Sequence, residues 1–187
     1  MNMGKNRKEL RAQLVDLHGK VVYTYTTHHK IQNRLECLNN GVKITQIVLT
    51  AISTGGFLAT VITNQYLLAW VGGIASALSL GLNLYMKDSN LSNSIKNHKD
   101  AADELWDIRE NYLSLITDFD DLSIEEIRVQ RNRIQAEWSK VNKKYPGTDK
   151  KGYEEAKQSL QNEEEQTFNE GEANIFLPSV HNEKESC

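Results

Sequence analysis

ITQIVLTAISTGGFLATVIT, residues 44–63, holds no charged side chain, yet it contains five threonines, a serine and a glutamine. Its reading decides the fold. The stretch belongs to a longer uncharged run, because Lys87 is the first charge after Lys43, which leaves 43 residues without one. The run divides at Asn64-Gln65-Tyr66 into two segments, 44–63 and 67–86 (LLAWVGGIASALSLGLNLYM). At 1.5 Å rise per residue each reaches about 30 Å, the thickness of the hydrocarbon core of a bilayer. Two spans joined by a tight turn make a membrane hairpin. The competing reading is a buried helical hairpin inside a soluble bundle, but soluble core helices seldom run this long without a charge.

Whole-chain averages conceal this. The chain is 39% hydrophobic and 25% charged with a net charge of −3, values typical of a soluble domain, and its mean hydropathy is −0.55. The averages mix unequal parts: residues 1–43 carry a net +5, the hairpin 44–86 carries zero and residues 87–187 carry −8. Lys30, Arg34 and Lys43 precede the hairpin, Lys87, Lys96 and Lys99 follow it, and the turn has no lysine or arginine. The excess of cations beside the spans predicts that both termini face the cytoplasm. Tyr66, Trp70 and Tyr85 sit near the span ends, where aromatic belts are expected. With 43 residues ahead of the first span, no cleaved signal peptide is expected. Cys37 and Cys187 suggest neither a disulfide framework nor a paired-cysteine metal site.

At 100° per residue, Gln46, Thr50, Ser53 and Thr60 fall within one sector of the first span, opposite Ile44, Ile47, Val48, Ala51, Ile52, Leu58, Ala59 and Ile62. In the second span Gly72, Ser76, Ser79 and Asn83 make a matching stripe, and Ala69, Gly73, Ala77 and Gly81 make a row of small residues at every fourth position. Small residues let membrane helices approach closely. Two readings of the polar stripes stay open: hydrogen bonding between packed helices, or lining of a water path by several hairpins. Two helices cannot enclose a channel, so the second reading requires a homo-oligomer.

The flanks supply helices. Leu10, Leu14, Leu17, Val21, Thr24, His28, Ile31, Leu35, Leu38 and Val42 follow an unbroken 4,3 spacing, a coiled-coil-like seam leading into the first span, with Gly19 as a weak point. Leu91, Ile95, His98, Ala102, Leu105, Arg109, Tyr112, Ile116 and Phe119 keep the same spacing after the second. Both spans are therefore expected to continue into the cytoplasm, as 1–43 and 87–122, and to pack on each other there. Ser123-Ile-Glu-Glu126 reads as a capping box opening a helix with Ile124, Ile127, Ile134, Trp138, Val141 and Tyr145 on one face. Pro146-Gly147 stops it, and a further helix starts near Thr148 or Asp149, so that 123–170 reads as a C-terminal helical hairpin and 171–187 as a flexible tail. The fold class is an all-α membrane protein, a two-transmembrane hairpin whose helices extend into a cytoplasmic helical bundle. The basic first helix reads as a solvated face combined with the cation bias beside the spans, or as a match for an acidic C-terminal helix across subunits, a partner, or anionic lipid.

No phosphate-binding glycine loop, CxxC pair or HExxH is present, so neither an enzyme nor a cofactor is expected. His28-His29 fails as a metal site, since adjacent helical positions point about 100° apart and no third ligand sits at spacing. Basic residues are sparse and not interleaved with aromatics, which argues against nucleic-acid binding. His28 and His98 lie on the seams flanking the hairpin, where protonation near neutral pH would bias packing.

The segments YTYTTHHKIQNRLE (23–36), STGGF (53–57), WVGG (70–73), LSLGLNLYMKD (78–88), DELWDIRENYLSLITDFD (103–120) and NEEEQTF (162–168) together resemble the SLATT domain, a two-transmembrane effector domain associated with nucleotide-second-messenger and SLOG systems. More narrowly they resemble the subfamily found beside reverse transcriptases in bacterial conflict loci. The resemblance implies a bacterial antiviral effector of the inner membrane that forms or gates a pore, causing abortive infection. It supplies no catalytic residues, and it implies a trigger from a separate sensor or a reverse transcriptase encoded nearby. Two alternatives are a membrane-tethered scaffold that recruits such a partner without forming a pore, and a membrane enzyme with no visible active site.

Overall fold

The computed structural model describes residues 3–63 and 65–176, and among them there are helices and no strand. Helix α1 runs Met3–Thr63 as one element of 61 residues, about 90 Å at 1.5 Å per residue. Gly19 does not interrupt it. Helix α2 spans Tyr66–Ser89 and returns antiparallel to the outer third of α1. Helix α3 spans Leu91–Thr117 and lies along the inner part of α1. After a 3₁₀ turn at Asp118–Asp120 come α4, Ile124–Lys144, and α5, Lys150–Gln161, with a last 3₁₀ turn at Ala173–Phe176. Most of the tail expected at 171–187 lies outside the described residues.

The two seams meet. Leu10, Leu14, Leu17 and Val21 of α1 pack with Leu105, Ile108, Tyr112, Leu115 and Phe119 around a core that α4 closes with Ile127, Ile134 and Val141. Heptad spacing places these side chains on single faces, and burial of those faces holds the bundle together. Farther along, the α1 seam loosens toward the membrane: Leu38 is 51% exposed.

Local chemistry sets the ends of the helices. Ser123 accepts from the Glu126 N–H at 3.3 Å while the Glu126 carboxylate accepts from the Ser123 N–H at 2.9 Å, so the expected capping box starts α4. Asp149 Oδ1 accepts from the Gly152 N–H at 2.6 Å and starts α5.

Two features differ from the expected layout. The helix of the second span does not continue unbroken: Asn90 adopts φ 47°, ψ 33°, a left-handed residue that separates α2 from α3. Asparagine tolerates that conformation better than other non-glycine residues, and the Asn90 carbonyl still accepts from Asn93 and Ser94 at 3.1 Å. Segment 123–170 also does not close on itself, because α4 docks on α3 while α5 docks on α1.

The docking of α5 answers the question of the basic first helix within one chain. Arg34 of α1 pairs with Asp149 and, at 3.1 Å, with Glu155, and Lys30 pairs with Glu165 at 2.7 Å. Gly152 permits the approach: a Cβ there would lie 2.5 Å from Ile31 Cγ1, and Ile31 is itself buried. Gly152→Ala is therefore expected to lift α5 from α1 at a cost of about 1–3 kcal/mol. Hydrogen exchange should then accelerate across 150–161 and stay unchanged in α3 and α4; unchanged exchange in α5 would contradict the packing.

Candidate functional site: the polar seam of the hairpin

The exposed large apolar side chains decide between membrane hairpin and soluble core. Ile44, Ile47, Val48, Phe57, Leu58, Val61, Ile62, Leu67, Trp70, Ile74, Leu78, Leu80 and Leu84 all face outward, each at least 50% exposed. Among the described residues two helices are long and apolar enough to cross a membrane, and the rest of the structure buries 0% and 11% of their apolar windows. A soluble core helix would bury that surface, whereas a contiguous apolar surface of this extent needs lipid around it.

On the inside of the hairpin, α1 presents Gln46, Leu49, Ser53, Gly56 and Thr60 to α2, all partly covered, and α2 presents Leu68, Gly72, Ala75, Ser79 and Leu82, with Gly72 and Ala75 buried. The helices come closest at two glycines. A Cβ on Gly56 would lie 3.0 Å from the Leu68 carbonyl oxygen, and one on Gly72 would lie 3.1 Å from the Ser53 carbonyl oxygen. Removing both side chains lets the backbones touch, the membrane counterpart of a packed core. Gly72 was legible as part of a small and polar stripe. Gly56 was not singled out, although its place three residues after Ser53 and four before Thr60 puts it on the same face.

The polar stripes of the two spans converge. Ser53, Thr60, Gly72 and Ser79 lie in the seam between the helices, and Thr60 Oγ1 donates to the Gly56 carbonyl at 2.8 Å. Gln46 Nε2 donates to Asn83 Oδ1 at 2.8 Å, tying the spans together at their bundle end. Thr50 is exposed on the same side of the hairpin, where it lines one groove with Gln46 and Asn83, and its hydroxyl donates to the Gln46 carbonyl at 2.8 Å. Ser76 is exposed and, seven residues before Asn83, shares its helix face. The hairpin thus has one polar flank, made of Gln46, Thr50, Ser76 and Asn83. Ala69, Gly73, Ala77 and Gly81 are all exposed on the surface of α2 turned away from α1, and a Cβ on Gly73 or Gly81 would meet nothing within 4 Å.

In the bundle the two seam histidines meet: His28 Nδ1 and His98 Nδ1 lie 2.9 Å apart, both residues buried. One ring must donate and the other accept, so at least one is neutral. Burial and, next, the facing His98 push His28 down to about 4. Burial also lowers His98, against an opposing pull from Asp149 and with a smaller push from Arg34. His29 is exposed. Among the described residues no group of three or more His, Cys, Asp or Glu is placed to hold a metal.

The geometry defines a class: a two-span membrane hairpin carried on a helical bundle built from the same helices. Residues 10–172 match the family model of the SMODS and SLOG-associating two-transmembrane effector domain, family 4, and the chain belongs to that family. It is a membrane effector of defence systems. Comparison with curated proteins and with solved structures finds no match.

Proposed function

We propose that several copies of the hairpin assemble in the bacterial inner membrane with the flank of Gln46, Thr50, Ser76 and Asn83 turned inward, forming or gating an ion path. Opening it collapses the membrane potential of an infected cell and stops its growth. The observation that carries this reading is the exposed polar flank: a single hairpin would leave Thr50, Ser76 and Asn83 facing hydrocarbon, and polar groups there turn to one another or to water. The outward row Ala69, Gly73, Ala77 and Gly81 offers a close-approach surface to a neighbouring copy. Both termini and the bundle stand on the cytoplasmic side, where a separate sensor or a neighbouring reverse transcriptase delivers the signal. The chain acts without a catalytic site, a cofactor or direct contact with nucleic acid.

The test is membrane potential, followed with a voltage-sensitive dye after induced expression. Thr50→Leu/Ser76→Leu changes only exposed positions and leaves the seam intact. Induced to high membrane levels, at which assembly no longer waits on the signal, native protein is expected to depolarise cells, and the double variant at equal levels to leave the potential near its resting value. Defence that survives the double variant undiminished would favour the scaffold instead.

A further inference from the structure

The bundle-side end of the polar flank has a distinctive electrostatic composition. Lys43, Gln46, Ile47, Thr50 and Asn83 line a groove of about 470 Å³. Lys87 lies one turn beyond Asn83, 40° further round the same face of α2. Both lysines are exposed, and among the described residues neither has an ion-pair partner. Deeper in the bundle, Lys30 and Arg34 are each matched by carboxylates. The nearest acidic residue in sequence, Asp88, is turned about 100° from Lys87 and lies on the other side of α2 from the groove. Residues 44–86 contain no carboxylate at all. Of the other groups on the flank, the Ser76 hydroxyl and the Asn83 NH2 carry hydrogen-bond donors, while the Thr50 hydroxyl donates to the Gln46 carbonyl.

We infer that the path conducts anions in preference to cations, selected by a ring of Lys43 and Lys87 side chains at its bundle-side mouth. The inference rests on the assembly proposed above, in which every copy adds two unpaired positive charges and no negative one to the same constriction. Lysine or arginine rings select anions in pores just as carboxylate rings select cations. A cationic rim with low-dielectric walls concentrates anions and repels cations before they reach the neutral hydroxyls beyond. At physiological salt the screening length is about 8 Å, so the lysines act on ions passing through the mouth and not on ions at a distance.

The experiment uses the full chain reconstituted in a planar bilayer of neutral phosphatidylcholine, which removes lipid charge, with a potassium chloride gradient across it. The reversal potential is expected on the chloride side, with chloride several-fold more permeant than potassium. Lys43→Gln/Lys87→Gln should bring the ratio toward unity, and Lys43→Glu/Lys87→Glu should invert it. Both positions are exposed, so the substitutions leave hairpin packing in place. A cation-selective or unselective native current, or selectivity unmoved by the glutamates, overturns this inference and leaves the pore standing. Absence of any native current from protein inserted at the density that depolarises cells overturns the pore reading and the inference with it.

Discussion

Replacing Gly72 with leucine is expected to separate the two spans and abolish effector action. The atoms a side chain would meet are backbone: the Ser53 carbonyl oxygen at 3.1 Å and the Phe57 nitrogen at 3.5 Å from the first added carbon. Backbone cannot swing aside, so the helices themselves must move apart. Overpacking of this kind costs about 1–3 kcal/mol for added methylenes, more as the side chain grows, against a helix-propensity gain of at most about 1 kcal/mol over glycine. Gly56→Leu should act alike, since its Cβ would lie 3.0 Å from the Leu68 carbonyl oxygen and 3.2 Å from Gly72 Cα. The Gln46–Asn83 contact at 2.8 Å supplies the readout. With Cys37 and Cys187 changed to serine, Gln46→Cys and Asn83→Cys should cross-link in the native background, lose the cross-link with Gly72→Leu and keep it with Gly73→Leu. Equal cross-linking in all three would contradict the close approach.

Acidification is expected to loosen the bundle through the histidine pair. Both rings are favoured neutral in the fold, and the unfolded chain takes up a proton near pH 6.5 that the folded His28 resists until about pH 4. Stability is therefore complete above pH 6.5 and is lost as pH falls toward 4. Between pH 7.5 and pH 5 that single shift corresponds to about 2 kcal/mol of lost stability. The facing groups are His98 across the seam, with Asp149 at the start of α5 and Arg34 of α1 acting on it in opposite senses. The carboxyls that face this region are both pushed below their ordinary values, Asp149 chiefly by the Gly152 N–H it accepts from and Glu104 by its hydrogen bonds with Lys144 and Tyr145. Thermal unfolding of the detergent-solubilised chain should show the loss at pH 5, and His28→Gln should remove most of the difference between the two pH values. A variant that loses as much as the native chain would contradict the role of the pair.

The hairpin and the bundle seams were legible because both are one-dimensional signals. A run without charge between Lys43 and Lys87 admits few solutions, and 4,3 spacing names a face. What the spacing leaves open is the partner of that face. Nothing in the period of α5 distinguishes docking on α4 from docking on α1; the choice follows from Gly152 meeting Ile31 and from Arg34 meeting Asp149 and Glu155, contacts across more than 110 residues. The break at Asn90 rests on the sign of one φ angle, which hydrophobic period does not encode. Helical arithmetic puts the polar residues of each span in one sector, and only the packed hairpin separates Ser53, Thr60, Gly72 and Ser79, which hold the seam, from Thr50, Ser76 and Asn83, which remain on its flank. Small residues carry the same ambiguity: the glycines that close the hairpin are Gly56 and Gly72, and the regular row at Ala69, Gly73, Ala77 and Gly81 faces outward.

The central claim, that the polar flank faces water inside an assembly, is tested most directly by chemical accessibility. Single cysteines at Ser76 on the flank and at Ala77 on the outward row, in a background lacking Cys37 and Cys187, would be exposed to a charged, membrane-impermeant thiol reagent in cells whose potential has collapsed on expression. Ser76→Cys is predicted to be modified and Ala77→Cys to be protected; protection of both, in depolarised cells, would contradict the account.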